Sequence, residues 1–361
     1  MAIALSHGGP NIYSSPSSST ELLVGTTKGV AALQRTACGW SVIRRSLADL
    51  HIHAILIEPD SKMVFAGSLG GGIFASLDGG KSWEQRDSGV TERSIYSLAT
   101  ALVGGESRLY AGTEPAHLFF SDDLGLHWQE APALRTVPSS VTWTFPAPPH
   151  AGHVKNITFD PLDSRTMYAG VEQGGLLKSV DGGETWSELC LFEEAAGDVH
   201  RVVIDPLNRR RMWVPTGSGL YMTNDGGKEW RQITNKDSSV GGYPDGLVLA
   251  PREPDVMFLS AAEHGPGSWR TSHFAGSRIS RSTDGGLHWQ QVLGGLPDRM
   301  QPAIEALCLE QNGHTFSVFA GTTAGEVWAS HDQGTNWSCV VSGLAPVSKG
   351  GHFRNLAVAA V

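Results

Sequence analysis

Histidines and carboxylates recur at matching places in a repeated strand pattern. Apolar runs ending near a proline, such as Ile55-Leu56-Ile57-Glu58-Pro59, Ile157-Thr158-Phe159-Asp160-Pro161 and Val202-Val203-Ile204-Asp205-Pro206, give the alignment. Two residues before the first core position the series reads His53, Ser94, Lys155, His200, Asp245, Glu305 and Arg354, and two earlier it reads His51, Glu92, His153, Asp198, Tyr243, Ala303 and His352. Every residue but Ala303 is polar or ionisable, and five of the 14 histidines fall in these series. Residues two apart share one side of a strand, so the pattern predicts two stacked rings around a channel mouth. Imidazoles and carboxylates converging from different strands can hold a metal or move protons.

On this reading His53, His153, His200, Glu305 and His352 are candidate ligands of a divalent zinc, manganese or iron ion. Such an ion would polarise a substrate oxygen or activate water. Asp245 or Glu305 would serve as general base, His200 as acid–base group and Tyr243 as proton donor. His51, Lys155 and Arg354 would bind a polar or anionic substrate. No His-Glu-x-x-His spacing occurs, so the metal expectation rests on the inferred fold. A metal-free acid–base site fits the same residues, as does a merely wet channel mouth.

The elements that must position these residues announce themselves through an octet. It reads Ser76-Leu77-Asp78-Gly79-Gly80-Lys81-Ser82-Trp83 and returns in forms ending at Trp128, Trp186, Trp230, Trp289 and Trp337, at intervals of 44 to 59 residues. An eroded copy ends at Trp40. Aspartate accepts N–H bonds inside a turn, glycine supplies positive φ, and tryptophan opens the next strand. Each octet follows two short strands and the apolar run, giving four strands per unit. The fold class read from this is all-β, a single seven-bladed β-propeller of four-stranded antiparallel blades over residues 21–361. The first unit, starting at Glu21, lacks an innermost strand, and His352–Val361 is expected to supply it and close the ring. Residues 1–20, rich in serine, read as a mobile tail.

Two insertions interrupt the units, at about 135–152 and 262–277, and both carry tryptophan: Trp143 and Trp269, the latter beside Arg270. Long loops of this composition favour a functional role, so these three residues are expected to wall or cover a pocket. Glu114 and Glu172 follow equivalent strand ends and would face the same space as substrate-binding groups, with Glu263 in a comparable place.

Composition narrows the classes. A net charge of −9 argues against nucleic-acid binding, and no apolar stretch approaches the ~20 residues of a membrane span. The four cysteines, Cys38, Cys190, Cys308 and Cys339, are scattered, which predicts free thiols. Met1 to Thr20 lack the basic start and apolar run of a secretory signal, so a cytoplasmic protein is expected. Oligomeric state is not readable.

The octets resemble the Asp-box, or bacterial neuraminidase repeat, across nearly the whole chain. The blade spacing is most similar to that of the single-propeller bacterial proteins described as sialidase-like or glycosyl-hydrolase-like. The repeat specifies propeller architecture and says little about chemistry; it occurs in sialidases, xyloglucanases, sortilin-type receptors and a photosystem assembly factor. The Arg-Ile-Pro of sialidases is absent here. The ring of histidines is similar in outline to that of seven-bladed lyases such as oligogalacturonate lyase, in architecture only. The sequence therefore predicts a small-molecule lyase or hydrolase at the top mouth, with or without a metal. A non-catalytic ligand-binding or assembly-factor propeller is the alternative, and a glycosidase-like carbohydrate-active protein the second.

Overall fold

Each octet folds as its residue types dictate. In one, the Ser76 hydroxyl accepts the Gly80 N–H at 2.7 Å and donates to Asp78 Oδ1 at 2.8 Å, while the same carboxylate oxygen takes the Lys81 and Ser82 N–H groups at 2.9 Å. Gly79 and Gly80 stand at φ +74° and +81°, conformations that side chains resist. The same bonding recurs at Ser121, Ser179, Thr223, Ser282 and Ser330. In the third full copy the Thr185 hydroxyl and N–H hold the Asp181 carboxyl down at about 2. The tryptophans find partners for their indole N–H, Trp83 on Ser46 Oγ and Trp128 on the Arg86 carbonyl, both at 2.9 Å.

The computed structural model describes residues 2–190 and 197–356. Its strands form seven sheets, the blades of a propeller. Blade two illustrates the plan, with Ile52–Ile57 innermost, then Val64–Ser68, Gly72–Ser76 and the short outer Glu84–Gln85, all antiparallel. Apolar side chains of neighbouring blades interlock; Phe65, Ile95, Leu98, Phe119 and Trp128 form one such seam. No helix among the described residues is long and apolar enough to cross a membrane.

Ring closure differs from the expectation. The innermost strand of blade one is Ala2–Leu5, running parallel to Glu21–Thr26. His352–Asn355 is a 3₁₀ turn, and 357–361 lie outside the described residues. The short run Ala2-Ile3-Ala4-Leu5 suffices because three of its side chains are fully buried.

Nor are residues 2–20 a tail. Ile12–Ser15 adds a fifth strand, parallel to Ile304–Asn312, inside the last blade. Between these strands the chain fills the channel. Gly8 N–H bonds the His53 carbonyl and Leu98 N–H bonds the Gly8 carbonyl, while Arg201 donates to the His7 and Gly9 carbonyls and Asn11 to the Leu247 carbonyl. The serines read as disordered instead satisfy a buried carboxylate: Ser15 Oγ and Ser19 N–H both donate to Glu310, at 2.8 and 2.9 Å.

Candidate functional site

The mouth is built from one local defect repeated around the ring. In five innermost strands the register slips by a residue, between Ile52/Ala54, Ile95/Ser97, Val154/Asn156, Pro244/Gly246 and Ile304/Ala306. A bulge of this kind frees one residue from the ladder and re-aims its side chain. The freed residues are His53, Tyr96, Lys155, Asp245 and Glu305. In blade five His200 has the same place, following the Val199–Thr216 bridge, and in blade one His7 follows the innermost strand. Two ring positions are thereby corrected. Ser94 gives way to Tyr96 because blade three lacks the proline-ended run that anchored the alignment. Arg354 gives way to His7 because the first blade's inner strand comes from the N-terminus.

All seven side chains are buried, and the centre of their ring is occupied by Lys349. Its ammonium lies 2.6 Å from Asp245 Oδ2 and 3.4 Å from the Tyr243 hydroxyl. Its N–H and the Ser348 hydroxyl both donate to Glu305 Oε2 at 2.8 Å, and His352 pairs with the other Glu305 oxygen. Across the ring Lys155 Nζ is 2.6 Å from Glu172 Oε1, and His153 pairs with Oε2 of the same carboxylate. His7 Nε2 stands 3.3 Å from Asp245 Oδ1.

These contacts set the charge states. Burial opposes ionisation of Glu172, yet Lys155 and His153 hold its carboxyl well below the usual range. Burial likewise opposes the charge of Asp245 and Glu305, but Lys349 depresses the first, while His352 and Lys349 keep the second at about 2. Lys349, also resisted by burial, is held charged by Asp245, Tyr243, Glu172 and Glu305. His153 is raised against burial by Glu172 and Glu114. Burial pushes His53 well down, against the opposite pull of two carbonyl oxygens, of Lys349 and of Tyr96, each 2.7 Å from a ring nitrogen. Burial also pushes the Tyr96 and Tyr243 phenols upward.

Above this ionic floor opens a cleft of about 770 Å³. Of the expected site residues, Glu114, Glu172, His153, Tyr243, Arg270, His352 and Arg354 line it. His200, Asp245, Glu305, Lys155 and His53 lie beneath, and His51 is bonded to the Ser348 carbonyl at 2.8 Å. The two insertions do form walls, but not through their tryptophans. Trp143 packs against Gly152 and Gly174, so that Phe145, Pro146, Ala147 and Pro148 face the cleft. Trp269 is buried with Tyr243, Ala262, Ala275, Ala303 and Leu356, and it anchors the short helix Pro266–Ser272. Sequence reasoning missed Lys349, which sits in Val347-Ser348-Lys349-Gly350 with no repeat to mark it, and His7, hidden in the supposed tail.

Four of the five expected metal ligands are taken up by separate partners: His153 with Glu172, His352 with Glu305, His53 with two carbonyls. The fifth, His200, belongs to the group among the described residues that could hold a metal ion, Glu172, Asp198 and His200, whose ligand atoms lie within 4.8 Å of one another. Asp198 stood in the expected ring; Glu172 was read as a substrate contact.

No family model matches the chain. It is similar to the xyloglucanase Xgh74A of Acetivibrio thermocellus, 25% identical over 287 residues, which are 67% of this chain and 33% of that protein. It is also similar to the photosystem II assembly lipoprotein Ycf48 of a Synechococcus strain, 26% identical over 263 residues, 62% of this chain and 72% of that one. The crystal structure of the GH74 xyloglucanase from Xanthomonas campestris superposes with a TM-score of 0.67 at 18% identity, covering 92% of this chain and 54% of that one. The protein is thus a seven-bladed propeller related to both groups, and it spans about 33% of the length of the first xyloglucanase.

Proposed function

We propose that the protein is a binding module whose top cleft receives an acidic segment of a partner molecule, without chemistry at the floor. The observation that carries this reading is the charge state of the floor: Glu172, Asp245 and Glu305 are all held as anions by fixed cations. A glycosidase general acid needs a carboxyl pushed the other way. The rim, by contrast, offers Arg270 and Arg354 to a ligand, beside a stiff apolar wall of Phe145, Pro146 and Pro148. Arginine recognises carboxylates and phosphates through its planar fork, and such a wall favours an extended chain. Similarity to an assembly lipoprotein supports the same class of role.

The test is binding of fluorescent acidic peptides, read by polarisation at two salt concentrations. Micromolar, salt-sensitive binding that weakens at least tenfold in an Arg270→Ala/Arg354→Ala double variant is expected. Peptides that fail to bind, or bind the double variant equally well, overturn the reading.

A second reading, glycoside hydrolysis, is favoured by the xyloglucanase relatives and by Glu114 and Asp198, two carboxylates on the cleft wall without a lysine or arginine partner among the described residues. It expects release of reducing sugar from xyloglucan, abolished by Glu114→Gln. Neither group of relatives points to elimination chemistry.

A further inference from the structure

We infer that Glu172, Asp198 and His200 form a binding site for one divalent transition-metal ion, zinc or manganese, at the floor of the cleft. His200 carries the inference. Its Nδ1 lies 2.6 Å from the Pro244 carbonyl oxygen, which can only accept, so the proton sits on Nδ1. In the neutral ring Nε2 is then a bare lone pair. That nitrogen is fully buried and has no hydrogen-bond partner among the described residues, yet it faces Asp198 Oδ1 at 3.3 Å and Glu172 Oε1 at 3.9 Å. Asp198 Oδ1 likewise has no hydrogen-bond partner among the described residues.

In that neutral form the lone pair and the two carboxylate oxygens repel one another. A cation in the gap removes the repulsion. An imidazole fixed through Nδ1–H to a carbonyl, with Nε2 turned inward, is the usual way a protein prepares a metal-binding histidine. One nitrogen and two carboxylate oxygens suit zinc or manganese better than calcium or magnesium. Three elements hold the ligands: the end of strand Asp163–Glu172, the approach to blade five at Asp198, and His200 just after the Val199–Thr216 bridge. Glu172 and Asp198 line the cleft, so the open coordination position would face whatever enters it. Lys155, 2.6 Å from Glu172 Oε1, neutralises that carboxylate but makes no ion pair with Asp198, leaving one negative charge for the ion to balance. The inference does not rest on the peptide-binding reading.

Untagged protein, stripped with chelator and dialysed, is titrated with zinc and separately with manganese by calorimetry, and its Tm is followed in parallel. One equivalent bound at micromolar Kd or tighter, with a rise in Tm, is expected, since an ion that binds only the folded state stabilises it. His200→Gln and Asp198→Asn should each weaken binding at least tenfold. Asp198→Asn, at the cleft surface, keeps the test decisive if His200→Gln fails to fold. Absence of stoichiometric binding, or binding unchanged in Asp198→Asn, would each overturn the inference.

Discussion

Two segments cross the channel axis, and they are held by opposite means. Residues 6–15 are bound through the main chain: Gly8 to His53 and Leu98, Asn11 to Leu309, and Ile12–Ser15 as an added strand. Residues 347–352 are bound through charge, with Lys349 between Asp245 and Glu305, and His352 on Glu305. Main-chain bonding needs no particular side chain, but it brings backbones so close that only glycine fits. Ionic bonding tolerates side-chain bulk but leaves uncompensated charge when one partner is lost.

The sharpest break should come at Gly8. A Cβ there would lie 1.8 Å from the Tyr96 carbonyl oxygen and 3.0 Å from His53 Nδ1, with no flexible side chain to yield on the first contact. Gly8→Ala should cost at least about 3 kcal/mol, the upper end of overpacking penalties, measured by urea unfolding. Lys349→Met should cost about 3 kcal/mol, because Asp245 stays buried without its closest cation. A loss below about 1 kcal/mol would mean that the second segment is held by packing and that the contrast is false.

Acid should separate the two segments. Burial holds His7 down to about 4, so it is neutral in the fold, while the unfolded chain takes up a proton near 6.5. Falling pH between 6.5 and 4 therefore favours unfolding, by up to about 3 kcal/mol from this group. His331, also held down to about 4 by burial, shares that window; His51 and His53, lowered by burial, act in the same sense, and His153, which is raised, in the opposite one. Glu305, held at about 2 against an ordinary 4.5, contributes stability above 4.5 that is lost as pH falls towards 2. Stability against pH should fall in two stages, and His7→Gln should shrink the upper one alone. The smallest effect is expected at a single octet, where Ser179→Ala removes bonds to Gly183 and Asp181 for about 1 kcal/mol.

The blades were legible in the sequence because their signal is local. Each octet carries its own turn chemistry, and Trp83 or Trp128 marks its blade without reference to any other. The mouth was legible only where a local marker fixed the register. His53, Lys155, His200 and Asp245 were found this way, whereas Tyr96 was missed by two residues where the proline-ended run is lacking. What no local pattern could reveal is pairing between the two ends of the chain. Ala2–Leu5 is four residues long and its partner strand is parallel, so neither alternation nor a hairpin turn points to it. Lys349 reads as an ordinary surface lysine until Asp245 and Glu305, from two other blades, are seen to surround it. Asp198 and His200 fell into place as ring members, but their proximity to Glu172 depends on a contact between blades four and five.

The added strand also dictates an order of events during synthesis. Ser15 and its partner Glu310 are 295 residues apart, so the earlier stretch must wait for the later one. At ribosomal speed that interval is on the order of half a minute. Until blade seven emerges, Ile12–Ser15 has no ladder to join and the inner edge of blade seven has yet to be made. The nascent ring is thus an open spiral with a free strand at its leading end, a state that invites pairing with the wrong neighbour. A bulky fusion placed directly before Ala2 would burden that late docking step more than it would burden the finished protein.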